Sequence, residues 1–126
     1  MPVRHLQHIN IRCSDVARSR DFYQILGLTV GDRPPFASQG YWMYAGGTPI
    51  VHLVQKKPGE KVLGPGTGDM NHVALGADRL DAMRATLARE AIAFQEAIVP
   101  RDGSVQLFIN DPDGVPLELN FLSAES

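Results

Sequence analysis

The fold is indicated by a stretch that the sequence contains twice. The second copy reads Asn71-His72-Val73-Ala74-Leu75-Gly76-Ala77-Asp78, and the first reads His8-Ile9-Asn10-Ile11-Arg12-Cys13-Ser14-Asp15. In both, a histidine opens a run with apolar residues at every second position, which is typical of a half-buried strand. A helix-like segment follows each run, and a constant offset of 64 residues relates the two copies. A repeat this long that occurs only twice indicates a duplicated supersecondary unit, because solenoids need three or more repeats.

Each copy predicts a strand, a helix and three further strands, with Ser14 and Asp78 as the helix caps. The apolar face of each strand can cover a helix, and the opposite faces then look into a shared concavity. We therefore expect an α+β fold. Its paired βαβββ modules would form an open, U-shaped, eight-stranded mixed sheet or half-barrel with the helices on the outside.

The modules cover residues 5–55 and 70–122 of a single domain that spans residues 1–126. Between them, residues 56–69 are rich in glycine and proline and are predicted to form a loop. This loop would act either as a lid over a site or as a passive linker.

Composition narrows the classes of partner. A chain of 126 residues with a net charge of −2 has no field that would attract nucleic acid or an anionic membrane. No apolar run approaches the roughly 20 residues of a transmembrane helix, and the first residues lack the apolar core of a signal peptide. One cysteine, Cys13, cannot form an internal disulfide, which favours the reducing cytoplasm. We expect small molecules or a second copy of the chain as partners.

Strand parity brings four potential metal ligands to the concave side. They are His8, His52, His72 and Glu118. His52 follows His8 by 44 residues and Glu118 follows His72 by 46, so each module supplies two of them. Imidazole and carboxylate groups bind zinc, iron, nickel or manganese, and strands aim them rigidly. A lone strand histidine is more often a hydrogen-bonded core or surface residue, but the duplicated pattern predicts one divalent ion.

The motifs that carry a family resemblance span almost the whole chain. They are His8-Ile9-Asn10-Ile11 before Asp15, Phe22-Tyr23-x-x-Leu26-Gly27-Leu28, Val51-His52-Leu53-Val54, Asn71-His72-Val73 and Asp111-Pro112-Asp113-Gly114-Val115-x-Leu117-Glu118. With them the chain resembles the vicinal oxygen chelate superfamily, which includes glyoxalase I, extradiol dioxygenases and bleomycin-binding resistance proteins. The resemblance implies paired βαβββ modules, usually in a homodimer, with one divalent metal ion per concavity. It also implies that His8, His72 and Glu118 occupy the positions of the family's ligands.

The sequence differs from the glyoxalase I pattern at His52, because glyoxalase I carries a glutamate at the matching position. With one carboxylate the site keeps a higher positive charge and has one fewer carboxylate base. We expect Glu118 or His52 to move the proton in catalysis. His52 is either a fourth ligand or, as a neutral imidazole, an acid or base near pH 7.

Five further side chains share the predicted concave faces and are candidates for substrate binding. They are Asn10, Arg12, Gln106, Phe108 and Asn120. Arg12 would meet a carboxylate or phosphate of the substrate, or would form a salt bridge at the rim. The concave or core orientation of Trp42 stays open, because either face of its strand can point inward.

Three functions compete. The first is a metal-dependent lyase or isomerase of glyoxalase type, in which the metal chelates two neighbouring substrate oxygens. The second is an extradiol-type Fe(II) dioxygenase that uses two histidines and one carboxylate. The third is a non-catalytic, drug-binding resistance protein that uses the concavity without a metal. The substrate, the metal, and whether one chain or two supply the ligands stay open.

Overall fold

The computed structural model describes residues 2–61 and 66–122. The chain divides into two compact units, Met1–Lys61 and Val62–Ser126. The predicted modules 5–55 and 70–122 fall one in each unit.

The first unit has one helix and a four-stranded mixed sheet. Its elements are β1 (Ile9–Cys13), α1 (Val16–Ile25), β2 (Thr29–Gly31), β3 (Gly40–Ala45) and β4 (Thr48–Gln55). The strand order is β1-β4-β3-β2, with β1 parallel to β4 and the other neighbours antiparallel.

The second unit repeats this arrangement. Its elements are β5 (Val73–Ala77), α2 (Leu80–Arg89), β6 (Gln95–Ile98), β7 (Val105–Asn110) and β8 (Pro116–Phe121). The order is β5-β8-β7-β6, again with one parallel pair, β5 with β8. The predicted α+β fold of paired βαβββ modules is confirmed, and the strands of the described residues form two four-stranded sheets.

The register of the sheets is also repeated. His52 lies between Asn10 of β1 and Trp42 of β3. Glu118 lies in the same way between Ala74 of β5 and Phe108 of β7. His8 therefore stands two residues before Asn10, the β1 partner of His52. His72 likewise stands two residues before Ala74, the β5 partner of Glu118. A shift by one residue would turn these side chains to the other face.

Side-chain alternation separates a core face from the face that carries the candidate ligands. Ile11 and Cys13 are buried on one face of β1, whereas Asn10 and Arg12 are exposed on the other. In β8 the core face carries Leu117, Leu119 and Phe121, each at most 2% exposed. The predicted parity of these strands is confirmed.

Both predicted helix caps were wrong by one residue. The N-cap of α1 is Asp15, whose carboxylate accepts from the Arg18 backbone N–H at 3.2 Å. The Ser14 hydroxyl instead accepts from the Arg18 guanidinium. The N-cap of α2 is Arg79 rather than Asp78, with φ 60° and no side-chain cap. Asp15 and Arg79 stand at the offset of 64 residues, so the position of the cap is repeated, although its backbone conformation and its capping chemistry are not.

The segment predicted as a loop has no helix or strand in residues 56–61 and 66–69. The rest of that segment, 62–65, lies outside the described residues, and a role as lid or linker stays a prediction. Among the described residues, no helix has the length and hydropathy needed to cross a membrane.

Candidate functional site

In the second unit, His72 and Glu118 lie side by side. His72 immediately precedes β5, and its Nε2 atom is 3.7 Å from Oε1 of Glu118. Glu118 is only 7% exposed, whereas His72 keeps part of its ring in solvent. The pair therefore joins a buried carboxylate to an accessible imidazole.

Two amide side chains hold the Glu118 carboxylate. Gln106 on β7 donates from Nε2 to Oε1 at 2.8 Å. Asn120 on β8 donates from Nδ2 to Oε2 at 3.4 Å. Both residues were predicted to bind substrate, and in the structure they fix the orientation of the carboxylate. A direct contact with substrate stays a prediction.

In the first unit, three rings are stacked. The His8 and His52 ring centroids are 3.8 Å apart with an interplanar angle of 12°. On its other face His52 stacks on Trp42 at 4.1 Å and 11°. Trp42 therefore shares the face of His52, and Met43 on the opposite face is fully buried. The stack leaves His52 only 8% exposed.

The His52 ring has a fixed hydrogen bond and a lowered pKa. Its Nε2 atom lies 3.1 Å from the Pro49 carbonyl oxygen, which can only accept, so Nε2 carries the proton. Burial is the main cause that lowers the pKa of His52, followed by the neighbouring His8 ring, and the Pro49 contact opposes the shift. We therefore expect a neutral His52 near pH 7.

His8 and His72 have the opposite arrangement. Nδ1 of His8 lies 2.9 Å from Oε1 of Gln7. Nδ1 of His72 lies 2.7 Å from Oδ1 of Asn71. Because an amide oxygen can only accept, these contacts favour, in the neutral form of either ring, a proton on Nδ1 and a lone pair on Nε2.

Of the four predicted ligands, the structure brings His72 and Glu118 together, and among the described residues no group of three or more potential ligands is close enough to hold a metal ion. Two ligand atoms that are each about 2.1 Å from one ion can be at most about 4.2 Å apart, and His72 and Glu118 satisfy this limit. His8 offers a free Nε2 as well. The His52 ring runs nearly parallel to that of His8, so their in-plane lone pairs do not converge, and its Nε2 is already engaged. As a ligand, His52 stays a prediction.

The remaining predicted substrate residues differ in their surroundings. Asn10 is exposed beside His52 in the ladder. Phe108 is 37% exposed beside Glu118.

Arg12 pairs with Glu60, which also accepts a hydrogen bond from the Lys57 backbone N–H. The pKa of the Glu60 carboxyl is lowered mainly by the hydrogen bond from the Lys57 backbone and, next, by the Arg12 side chain. Arg12 thus forms the salt bridge that was one of its two expected roles.

Sequence reasoning missed Gln7, Asn71 and the stacking of Trp42. A signal for the first two was present, because an amide residue precedes each histidine at the 64-residue offset. The Trp42 stack depends on the pairing of β3 with β4, which side-chain parity alone does not give.

Comparisons with known proteins agree with this fold. The sequence model of the Glyoxalase/Bleomycin resistance protein/Dioxygenase superfamily matches residues 5–119. The Arabidopsis thaliana protein Glyoxylase I 4 is 29% identical over 123 residues, which are 90% of this chain and 68% of that protein. The uncharacterized protein YaeR of Escherichia coli (strain K12) is 30% identical over 93% of this chain and 95% of its own length.

Solved structures share the fold. A glyoxalase family protein from Bacillus anthracis superposes with a TM-score of 0.76 at 17% identity, covering 96% of this chain and 97% of that one. Because the family match extends over nearly the whole sequence, this chain belongs to the Glyoxalase/Bleomycin resistance protein/Dioxygenase superfamily, the vicinal oxygen chelate proteins.

Proposed function

We propose that this protein is a divalent-metal-dependent enzyme of glyoxalase type, a lyase or isomerase that acts on a small substrate with two neighbouring oxygens. His8, His72 and Glu118 would hold the cation, with zinc, nickel, iron or manganese as candidates. The observation that carries the proposal is the His72–Glu118 pair, with its separation of 3.7 Å and its supporting hydrogen bonds.

The charges and hydrogen bonds of the described residues fit these roles. Gln106 and Asn120 donate to the Glu118 carboxylate, so its oxygens are oriented before any cation or substrate arrives. Neighbouring donors of this kind are typical around metal-binding carboxylates. The low exposure of Glu118 also limits competition from water for the same oxygens.

When bound, the cation would supply Lewis-acid polarisation of the substrate oxygens. The protein would move the proton. Glu118 is the carboxylate that can accept it, although both of its oxygens already accept from amides. His52 is the second candidate, because with Nε2 protonated its Nδ1 atom is the basic one. Its lowered pKa keeps the ring neutral but makes it a weaker base.

The test is metal content of the full chain purified without chelator, measured by elemental analysis. We expect close to one divalent ion per chain in the wild type and a loss to background in His72→Ala and Glu118→Gln. His5→Ala is the matched control, since His5 is an exposed histidine outside the set, and it should keep the metal. Activity is then measured on adducts of dicarbonyl compounds with thiols. A wild-type protein that binds no divalent ion would refute the proposal and favour the non-catalytic, drug-binding function.

A second candidate, an extradiol-type Fe(II) dioxygenase, would use the same three ligands. With Nε2 of His52 engaged by Pro49, the set has two histidines and one carboxylate, which is also the ligand set of non-haem iron oxygenases. Oxygen uptake with catechols by the iron-loaded protein would support this candidate. Turnover of the dicarbonyl adducts with nickel or zinc and no oxygen uptake would support the isomerase.

We also propose that the protein acts as a homodimer, as is frequent among members of this superfamily. Light scattering of the purified chain measures this directly. A monomeric mass at micromolar concentration would contradict it.

A further inference from the structure

Two amide residues directly precede the candidate ligand histidines. Gln7 and Asn71 each direct an amide oxygen at Nδ1 of the next residue, at 2.9 Å and 2.7 Å. Both occupy the same place in their unit, directly before the position that opens the first strand. The same contact has therefore been kept in both copies, although one side chain is longer than the other by a methylene group.

These contacts determine which ring nitrogen is available. An amide oxygen accepts but cannot donate, so in the neutral form of His8 and of His72 the contact favours a proton on Nδ1. The other nitrogen, Nε2, then keeps its lone pair in the plane of the ring. A free neutral imidazole in water prefers the opposite tautomer, with the proton on Nε2. Without the amide oxygen, each ring would therefore shift toward the form that cannot bind a cation through Nε2.

His52 provides an internal contrast. Its Nε2 donates to the Pro49 carbonyl oxygen at 3.1 Å, and its ring faces are covered by His8 and Trp42. The contacts thus favour the Nε2–H form for one histidine and the Nδ1–H form for two. This division separates the two rings that are prepared to bind a cation through Nε2 from the one that is not.

We propose that Gln7 and Asn71 are positioning residues that fix the Nδ1–H tautomer of His8 and His72 and so present Nε2 to a divalent cation. The proposal rests on the metal-binding function proposed above. A hydrogen-bond partner on Nδ1, the nitrogen that does not bind the cation, also limits rotation of the ring. Loss of such a partner typically costs about 10–100-fold in metal affinity.

The tautomers can be measured before any metal is added. Long-range ¹H–¹⁵N correlation spectra of the ¹⁵N-histidine-labelled full chain, recorded above the titration range of histidine, distinguish protonated from bare ring nitrogens. We expect Nδ1–H for His8 and His72 and Nε2–H for His52. Gln7→Leu should shift His8 toward Nε2–H, and Asn71→Leu should do the same for His72, each without affecting the other ring.

Metal affinity is the second measurement, by competition of the same variants with a chelator for Zn²⁺. Gln7→Leu and Asn71→Leu should each bind Zn²⁺ about 10–100-fold more weakly than the wild type. Gln7→Asn and Asn71→Gln keep an amide oxygen and should restore part of the affinity. Gln24→Leu makes the same replacement at an exposed position of α1 and should change neither measurement.

The two measurements separate two kinds of failure. Tautomers that do not change in the leucine variants, or unchanged Zn²⁺ affinity after the tautomers have shifted, would overturn the positioning role. Wild-type protein with the expected tautomers but no Zn²⁺ binding would overturn the proposed metal function and, with it, the purpose assigned to these residues.

Discussion

His52 differs from the other candidate histidines in what surrounds its ring. His8 and Trp42 cover its two faces, and the Pro49 carbonyl engages one edge. A charged imidazolium would lose hydration in this position, so burial lowers the pKa of His52. The neutral ring therefore lies between Trp42 and His8, in contact with both.

Trp42, the single tryptophan of the chain, reports the charge of His52. A protonated imidazole stacked at 4.1 Å quenches indole emission more strongly than a neutral one. We expect Trp42 fluorescence to fall on acidification with a midpoint below 6.5, the ordinary pKa of histidine. His52→Phe should abolish the step, and His5→Gln should leave it in place. A midpoint above 6.5 would contradict the direction given by burial.

The same ring makes stability depend on pH. With the pKa of His52 lowered in the folded chain, the unfolded chain binds more protons between the folded value and 6.5. The stabilising contribution is therefore complete above 6.5 and is lost as the pH falls through the folded value. Urea denaturation at a series of pH values should give a smaller acid-side loss for His52→Phe than for the wild type. An equal loss in both proteins would exclude His52 as its source.

Strand parity, and with it the face that carries each ligand, could be predicted from the sequence because side chains alternate along every strand. The stacking and the tautomer of each histidine ring could not be predicted from the sequence. Ring stacking and tautomers depend on the pairing between β1, β3 and β4 and on rotamers, as the His52–Pro49 contact illustrates. Alternation alone contains no information about either.

At the scale of elements, the two helices begin in chemically different ways at equivalent positions. Asp15 caps α1 with its side chain. We expect Asp15→Ala to lower the free energy of unfolding by about 1 kcal/mol, because one orphan N–H loses its partner. Urea denaturation measures this. Asp21→Ala in the same helix removes an exposed carboxylate and should change stability by less than about 0.5 kcal/mol.

At Arg79, the N-cap of α2, we expect that replacement does not destabilise the fold, in contrast to Asp15. Its φ of 60° lies in the left-handed region, which disfavours residues with a Cβ atom. Arg79→Gly relieves this strain but makes the unfolded chain more flexible. We expect the free energy of unfolding to stay unchanged or to rise by up to about 1 kcal/mol. A loss of stability in urea denaturation would mean that the greater flexibility of the unfolded chain, or a lost contact of the Arg79 side chain, outweighs the relief of strain.

The turn between β7 and β8 precedes the strand that carries Glu118. The Asp111 carboxylate is buried and accepts the backbone N–H groups of Asp113 and Val115 at 2.8 and 2.9 Å. Asp111→Ala would leave both donors without this acceptor, so we expect a loss of about 1–3 kcal/mol in the free energy of unfolding. Asp111→Asn keeps one oxygen and should lose less. Equal losses in both variants would show that the negative charge, rather than the acceptor oxygen, stabilises the turn.

This turn was predictable because its proline and glycine follow a known pattern. The caps were each predicted one residue too early. Ser14 and Asp78 are good capping residues by type, but where a strand stops and a helix starts depends on tertiary context. In α1 the Asp15 carboxylate reaches the first turn, and the Ser14 hydroxyl accepts from the Arg18 guanidinium instead.

At the scale of the whole molecule, the duplication explains why the fold could be predicted and the reaction could not. Each unit repeats the element order, the sheet order and the ladder partners of the other. A repeat of this kind is visible in sequence through its offset and its histidines. The substrate leaves no comparable repeat, because the residues beside the ligands differ between units, such as Trp42 and Phe108 beside His52 and Glu118.

A cation shared by the two units would protect both of them from hydrogen exchange. If one cation is held by His8 together with His72 and Glu118, its binding must stabilise both units rather than one. A ligand at about 100 times its dissociation constant slows exchange through full opening about 100-fold. We therefore expect Zn²⁺ to slow amide hydrogen exchange, measured by mass spectrometry, in β1 and β4 of the first unit as well as in β5 and β8 of the second.

His8→Ala decides whether this protection is shared. In that variant the remaining pair, His72 and Glu118, belongs to one unit, so any residual protection should be confined to β5 and β8. His5→Ala should behave as the wild type does. Protection of the second unit alone in the wild type would mean that His8 is not a ligand. Protection of both units that weakens on dilution would mean that the ligands come from two chains, since binding would then require the dimer.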